Sequence, residues 1–410
     1  MIKLNYKNNT YKEENKMRYV GTVVRGIRTP IIKEDTNLAD TVIDSIMKAK
    51  ESEGFEFKDH DIIAITEAVV GISEGNYVTV SDISNDVTSK FPDREVGLVF
   101  PILSRNRFSM ILKGIARGMN KITMLLSFPS DEVGNGIMDE NKLAQSRFTL
   151  DSVITEKEYF DHFGDFLHPF TGINMVNFYK KLIESEHCKA EFVFSNNPKD
   201  ILKYTNNVIN CDIHTRFKTK ELLQEAGAHV YGLYEIMNKP INGSGYNPEY
   251  GLLGSNKSTE ERLKLFPKTG DKLVEEIHER MLKLTGKNIE VMVYGDGAFK
   301  DPVGHIWELA DPVVSPAFTK GLIGTPNEIK LKYVSDNKFA NLRGEELASA
   351  IKEEIKEKDQ DLKGQMVTQG TTPRRLTDLI GSLCDLTSGS GDKGTPVVYI
   401  QGYFDNYAND

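Results

Sequence analysis

Residues 291–305 read VMVYGDGAFKDPVGH. An apolar run, Val291-Met292-Val293-Tyr294, stops at an aspartate held between two glycines, Gly295-Asp296-Gly297, and a second acid, Asp301, precedes Pro302. A tight turn is one reading, because Asp bonds its own backbone and Gly tolerates positive φ. A site is the other. In open α/β sheets, ligands sit beyond the carboxyl ends of the strands. A carboxylate there can hold Mg2+, and glycines let a phosphate approach the backbone closely. The segment upstream favours the site. DKLVEEIHERMLKLTG, residues 271–286, places Leu273, Ile277, Met281 and Leu284 on one helical face before a Gly286 stop. The aspartate therefore ends a strand that follows a helix.

The same helix–strand grammar recurs on both sides. Residues 1–18, rich in Lys and Asn, predict a disordered segment, with order beginning near Tyr19. A strand is expected within YVGTVVRGIRTPII. A helix follows over NLADTVIDSIMKAKESEG, with Leu38, Val42, Ile43 and Ile46 on one face and Gly54 as the stop. Ile62-Ile63-Ala64-Ile65 reads as a short buried strand ended by Thr66-Glu67. Near the C-terminus a helix (TPRRLTDLIGSLCDLTSG), a loop (SGSGDKGT) and a strand (PVVYIQGY) close the chain.

Between these parts the texture changes. EVGLVFPI, SRNRFSMILKGIARGM with a Ser104 cap, and KITMLLSF read as a strand–helix–strand unit. AEFVFS and AHVYGLYEI read as further strands, with a helix over Thr219–Gly227 between them. The division that follows is a first part at 19–87, an inserted α/β region at 88–228, and a closing part at 229–410 carrying the metal and nucleotide site. The inserted region is expected to be ordered and to pack over that site.

Composition narrows the function. The 410 residues are 39% hydrophobic and 27% charged with a net charge of −9, as in a soluble globular protein. Nucleic-acid binding would need a basic stripe, and none is visible. No apolar stretch is long enough to span a membrane, and the polar N-terminus has no secretory pattern. Three cysteines without paired spacing suit a reducing compartment. A cytoplasmic location is expected.

Three polar clusters end apolar strands: Thr66-Glu67 with Glu74-Gly75-Asn76, then Asn242-Gly243-Ser244-Gly245, then Gly295-Asp296-Gly297 with Asp301. Each alone is weak, and Asn-Gly is by default a turn. SGSGDKGT lacks the order of a phosphate-binding P-loop. NCDIHTR brings together Cys211, Asp212 and His214, too few ligands for a metal site, so a structural histidine is expected there.

Taken together, GIRTPIIKEDTNLADTVIDSI, GFEFKDHDIIAITEAVVGISEGN, INGSG with GLLGSN, VEEIHERMLKLTGKNIEVMVYGDG and LTDLIGSLCDLTSGSGDKGTPVVYIQGY resemble the gamma-glutamyl ligases of the deazaflavin coenzyme, over residues 20–86 and 229–404. The family lysines fall at Ala68 and Ile72, and a family aspartate falls at Asn242. The resemblance implies a mixed α/β (α+β) fold, split by the inserted α/β domain. It implies a GTP-dependent ligase that turns a small carboxylate acceptor into an acyl phosphate and joins it to L-glutamate, in a homodimer. Mg2+ or Mn2+ would sit on Asp296, Asn242 and Asp301. Asp296 and Glu67 would be catalytic, and the nucleotide would meet Thr66, Ser244, Gly295, Gly297, Ser388, Gly389, Gly391 and Lys393. The rival readings are a binding protein that kept the fold without catalysis, and a phosphate-transfer or hydrolytic enzyme using the same metals.

Overall fold

The computed structural model describes residues 19–169, 171–295, 315–368, 374–388 and 391–409, and the backbone of 298–300 and 307–309. The expected disorder of 1–18, and the sites at Asp296, Gly297, Asp301 and Gly389, lie outside the described residues.

The chain runs β1 (Val23–Ile27), α1 (Leu38–Glu53), β2 (Ile62–Thr66), α2 (Glu67–Ser73), β3 (Tyr77–Thr79), α3 (Val80–Lys90), β4 (Glu95–Val99), α4 (Phe108–Gly118), β5 (Lys121–Leu126) and α5 (Glu140–Ala144). It continues β6 (Ile154–Thr155), α6 (Glu156–Phe163), α7 (Met175–Ser185), β7 (Lys189–Phe194), β8 (Asn207–Asn210), α8 (Arg216–Glu225), β9 (His229–Gly232), β10 (Ser255–Lys257) and β11 (Arg262–Leu265). It closes with α9 (Gly270–Thr285), β12 (Glu290–Tyr294), β13 (Ala298–Lys300), β14 (Trp307–Leu309), β15 (Ala317–Phe318), α10 (Leu331–Asn337), α11 (Gly344–Glu357), α12 (Leu376–Thr387) and β16 (Val397–Gln401). The expected mixed α/β class holds.

Two larger sheets organise these elements. The first has the order β1-β16-β2-β12-β15. Its central pair, β2 and β12, is parallel with Thr66 opposite Tyr294, and β16 runs antiparallel beside β2. Both central strands are buried throughout, as a sheet covered on two faces requires. On one face, α1 and α9 contribute Val42, Ile46, Val274, Ile277 and Met281 to a core with Ile63, Ile65 and Val293. On the other, α12 contributes Ile380 and Cys384 against Ile62, Ala64, Met292 and Val398. The helix ends follow the expected chemistry. Asn37 accepts from Asp40 N at the start of α1, and left-handed Gly54 and Gly286 stop α1 and α9.

The second sheet, β6-β7-β5-β4-β8-β9, is built entirely from residues 95–232. Its β7, β5, β4, β8 and β9 are parallel, and β6 is an antiparallel edge. In chain order the parallel strands lie 3-2-1-4-5, a doubly wound arrangement with its switch point between β4 and β8. Its core is continuous with α3, β3 and β11: Ile83 and Val87 pack in one cluster with Ile111, Ile115 and Leu263. The helix α3 crosses residues 87 and 88 without a break.

Two local expectations need correction. Ser104 does not cap α4, which begins four residues later. Its hydroxyl instead accepts from Asn106 N and Arg107 N in a turn ahead of the helix. The strand expected over AHVYGLYEI stops at Gly232, because the Glu235 carboxylate bends back to accept from Gly232 N and a short 3-10 turn follows. Among the described residues, no helix is long and apolar enough to cross a membrane.

Candidate functional site

The carboxyl ends of β2 and β12 lie side by side. Thr66 and Glu67 end one, and Tyr294 and Gly295 end the other. The loop before β16 reaches the same edge: Thr66 N donates to Pro396 O at 2.9 Å, and Thr29 N donates to Gly394 O at 3.4 Å. Ser388, at the end of α12, bonds Thr395 through its hydroxyl. Gly394 N returns to Gly391 O at 3.4 Å, and Lys393 is exposed on this turn. The edge therefore collects Thr66, Glu67, Gly295, Ser388, Gly391 and Lys393 from three separate stretches of sequence.

Glu67 is the first residue of α2 and only 4% exposed. Its carboxylate forms an ion pair with Lys264 Nζ, and the lysine is 7% exposed. Asn256 Nδ2 donates to Glu67 Oε1 at 3.3 Å. Arg107 Nη2 in turn donates to Asn256 Oδ1 at 3.1 Å. The local sequence explains how the lysine reaches the acid. Glu67 and Gly71 share a face of α2. A Cβ on Gly71 would lie 3.2 Å from Lys264 Cδ and 2.9 Å from Leu265 O. The missing side chain is the channel through which the lysine stem crosses the helix. A pair this buried has given up most of its hydration, and each charge depends on the other to remain there.

The neighbouring polar residues have structural partners. Glu74 accepts from Lys268 N at 2.8 Å and from Thr269 N at 3.0 Å, holding the start of α9. Asn76 accepts from Tyr246 N at 3.0 Å and donates to Phe266 O at 2.7 Å, pinning the 245–247 loop to β11. Asn242 is exposed with φ 51°, followed by Gly243 at φ 83°, the left-handed geometry of a tight turn. The Ser244 hydroxyl accepts from Ile241 N at 3.1 Å and donates to Gly245 O at 2.8 Å, and Gly245 N donates to Tyr77 O at 2.8 Å. These bonds carry the Asn242–Ser244 loop toward Tyr77 and Asn76, on the β3 side of Glu67.

The other chemically suggestive groups are structural. The three cysteines are buried. Burial pushes the Cys188 thiol up to about 12 and the thiols of Cys211 and Cys384 higher, which keeps them protonated and poorly nucleophilic. His214 donates from Nδ1 to Glu132 Oε2 at 2.7 Å, and that bond raises its pKa above the usual histidine value. Asp212 accepts from the hydroxyls of Thr215 and Thr219. Among the described residues, no group of three or more His, Cys, Asp or Glu side chains is arranged to hold a metal ion.

The sequence reading did not single out Lys264, Asn256 or Arg107. The alternation of RLKL points its lysine to water, and the one hint of its burial is a glycine in α2, Gly71, where the lysine stem passes. The other two pairings span 149 and 189 positions and leave no local trace.

A family model described as F420-0:Gamma-glutamyl ligase matches residues 26–402. Among curated proteins, none matches the chain.

Proposed function

The chain belongs to the gamma-glutamyl ligase family, a family of amide ligases that add glutamate, and from that premise we propose that it joins L-glutamate to a small carboxylate acceptor through a GTP-derived acyl phosphate. In this reading an acceptor carboxylate oxygen attacks the γ-phosphorus of GTP, and GDP leaves. The glutamate amine then attacks the acyl carbon. The C–N bond forms, the bond to phosphate breaks, and the amine gives up a proton.

The observation that carries the proposal is the buried Glu67 at the carboxyl edge of β2 beside Gly295. Ligands of open α/β sheets gather at such an edge. Glu67 is the proposed acceptor of the amine's proton, held in one direction by Lys264 and Asn256. Ser388, the turn at Gly391–Gly394 with its Lys393, and the backbone at Thr66 and Gly295 are proposed to face the nucleotide's phosphates. Ser244, whose bonds run to its own turn, would act at a greater remove.

A divalent ion, Mg2+ or Mn2+, would neutralise phosphate charge in such a reaction. The described residues do not form its site unaided: Glu67 is already matched by Lys264, and no triad of ligands is present among them. The ion is therefore proposed on Asp296 and Asp301, with Asn242 as the weakest candidate, and no step is routed through it. The homodimer expected of the family belongs to the same proposal and is read by light scattering.

The test is transfer of labelled L-glutamate to the family's namesake acceptor and to a panel of other small carboxylates, with GTP or ATP and with or without Mn2+. Amide product that depends on GTP and Mn2+ supports the proposal. Free phosphate without amide would point to hydrolysis, and nucleotide binding without either product to a binding protein. Asp296→Asn keeps the side chain's volume and removes its charge. It is expected to fold normally and to lose the thermal shift that GTP with Mn2+ gives the unaltered protein, following ligand linkage. A full shift in that variant would remove Asp296 from the site.

A further inference from the structure

Arg107, Asn256, Glu67 and Lys264 come from four segments and form one polar chain at the candidate site. Arg107 immediately precedes α4, in the segment that builds the six-stranded sheet, and is 8% exposed. Asn256 lies on β10, Lys264 on β11 and Glu67 at the start of α2. The chemistry of the outer groups dictates how the middle one points. A guanidinium has only donors, so the amide must turn Oδ1 toward Arg107, as it does at 3.1 Å. An ionised carboxylate has only acceptors, so the amide must turn Nδ2 toward Glu67, as it does at 3.3 Å. Flipping the amide would place donor against donor at one end and acceptor against acceptor at the other. The two contacts therefore enforce the same orientation.

The elements that hold this chain are also fastened at their far ends. Arg117 and Lys113 of α4 reach Glu261, beside the start of β11, at 2.6 Å and 2.5 Å. Arg117 also holds Glu186 at 2.8 Å, next to α7. The helix α4 is thus held by a surface ionic clamp near its C-terminal end, while Arg107 lies just before its start.

We propose that Arg107 and Asn256 are positioning residues for the ligase reaction. The docked α4 sets Arg107, Arg107 sets the Asn256 amide, and the amide shares Glu67 with Lys264, so that the carboxylate has one direction. The segment between the two halves of the ligase core then contributes to catalysis through a side chain that need not touch substrate. This inference rests on the role assigned to Glu67 above.

Transfer of labelled L-glutamate with GTP and Mn2+ is the first measurement. Asn256→Leu and Arg107→Gln are expected to lower kcat by about tenfold to a hundredfold, the scale of a misaligned reacting group. KM for glutamate should stay within about threefold. Combining the two should cost no more than Asn256→Leu alone, and Arg107→Lys should restore much of the rate. Unaltered turnover in Asn256→Leu, or losses that multiply in the double variant, would overturn the relay. A second measurement needs no activity. Denaturation of Arg107→Gln, Glu67→Gln and their combination gives the coupling between two residues that share Asn256 as intermediary. That coupling should disappear in an Asn256→Leu background, and coupling that survives unchanged overturns the proposal. If the unaltered protein transfers no glutamate to any acceptor, the reaction assigned above fails, and the coupling alone supports or overturns the relay.

Discussion

The two large sheets each present a carboxyl edge with buried or half-buried acids, and they use them differently. On the six-stranded sheet, Asp131 accepts from the backbone N–H of Leu103, Val133 and Asn135 at 2.7–3.1 Å. Glu132 accepts from Ile213 N at 2.7 Å and His214 N at 2.9 Å. The loops after β4, β5 and β8 are thereby laced together at the switch point. Backbone donors that a doubly wound sheet would offer a ligand's phosphate are occupied by the protein's own carboxylates. On the five-stranded sheet, Glu67 is met by side chains, Lys264 and Asn256, from strands of another sheet. At one edge the acids are tied to backbone groups of their own sheet's loops, whereas at the other the acid is oriented by side chains of a neighbouring sheet. The chemistry proposed above lies at the β2–β12 edge, even though the six-stranded sheet has the topology more familiar for nucleotide binding.

The largest effect is expected for Lys264→Met. The variant leaves Glu67 buried without its cation. Removing one partner of a buried pair is expected to cost roughly 3–5 kcal/mol, measured by urea denaturation. Adding Glu67→Leu should recover most of the loss, because an apolar pair of similar volume replaces a desolvated ionic one. A loss below about 1 kcal/mol would mean that the pair behaves as a solvated surface bridge.

The next largest effect is expected at the other edge. Glu132→Ala strips the acceptor from two backbone N–H groups. Each buried donor left unmatched costs about 1–3 kcal/mol, but His214 is partly exposed and water can reach its N–H, so a total near the lower end is expected. The pH dependence distinguishes this edge from the first. The Glu132 bond raises the folded pKa of His214 above its ordinary 6.5. A histidine raised on folding stabilises fully below the unfolded pKa, and that contribution is lost as pH rises through the folded value. The stability advantage of the unaltered protein over Glu132→Gln should therefore be greatest on the acid side of 6.5 and shrink above it. An advantage that is flat across that window would mean that Glu132 acts only through the backbone.

Much of this arrangement is legible in the sequence, for physical reasons that particular residues make plain. The helix α9 can be read from Leu273, Ile277 and Met281 and from Gly286, because its apolar face and its stop are both local. The strands β2 and β12 can be read as continuous apolar runs, because both faces of their sheet are covered. The candidate edge follows from where those runs end. What escapes the sequence depends on distant partners. RLKL suggests alternating burial with its basic residues in water, yet Lys264 is buried because α2 lies across it and Gly71 leaves room. The strand β9 ends early because Glu235 turns back on Gly232, which no apolar pattern encodes. The turn chemistry of Asn242-Gly243 was visible from the start, and the structure gives it the left-handed geometry that the dipeptide favours.

The smallest expected effect lies where the two regions meet at the surface. Lys113 and Arg117 hold Glu261, and their hydrogen bonds depress its carboxyl to about 2. An acid lowered on folding contributes stability that is present above its unfolded value of 4.5 and is lost as pH falls toward the folded one. Glu261 is 54% exposed, however, so water and salt screen most of that interaction. Glu261→Gln should accordingly cost under about 1 kcal/mol at neutral pH, and the difference should vanish as the unaltered protein is taken below pH 4.5 toward 2. Added salt should shrink it as well, while leaving the larger loss in Lys264→Met nearly unchanged, because a buried pair is screened far less than an exposed one. Hydrogen exchange in α4 would show whether the clamp matters beyond its energy. If α4 is held mainly by its apolar face against α3 and α7, protection of Ile111 and Ile115 should survive the substitution. Loss of that protection would make this surface clamp, rather than the core shared with α3, the feature that keeps Arg107 beside Asn256.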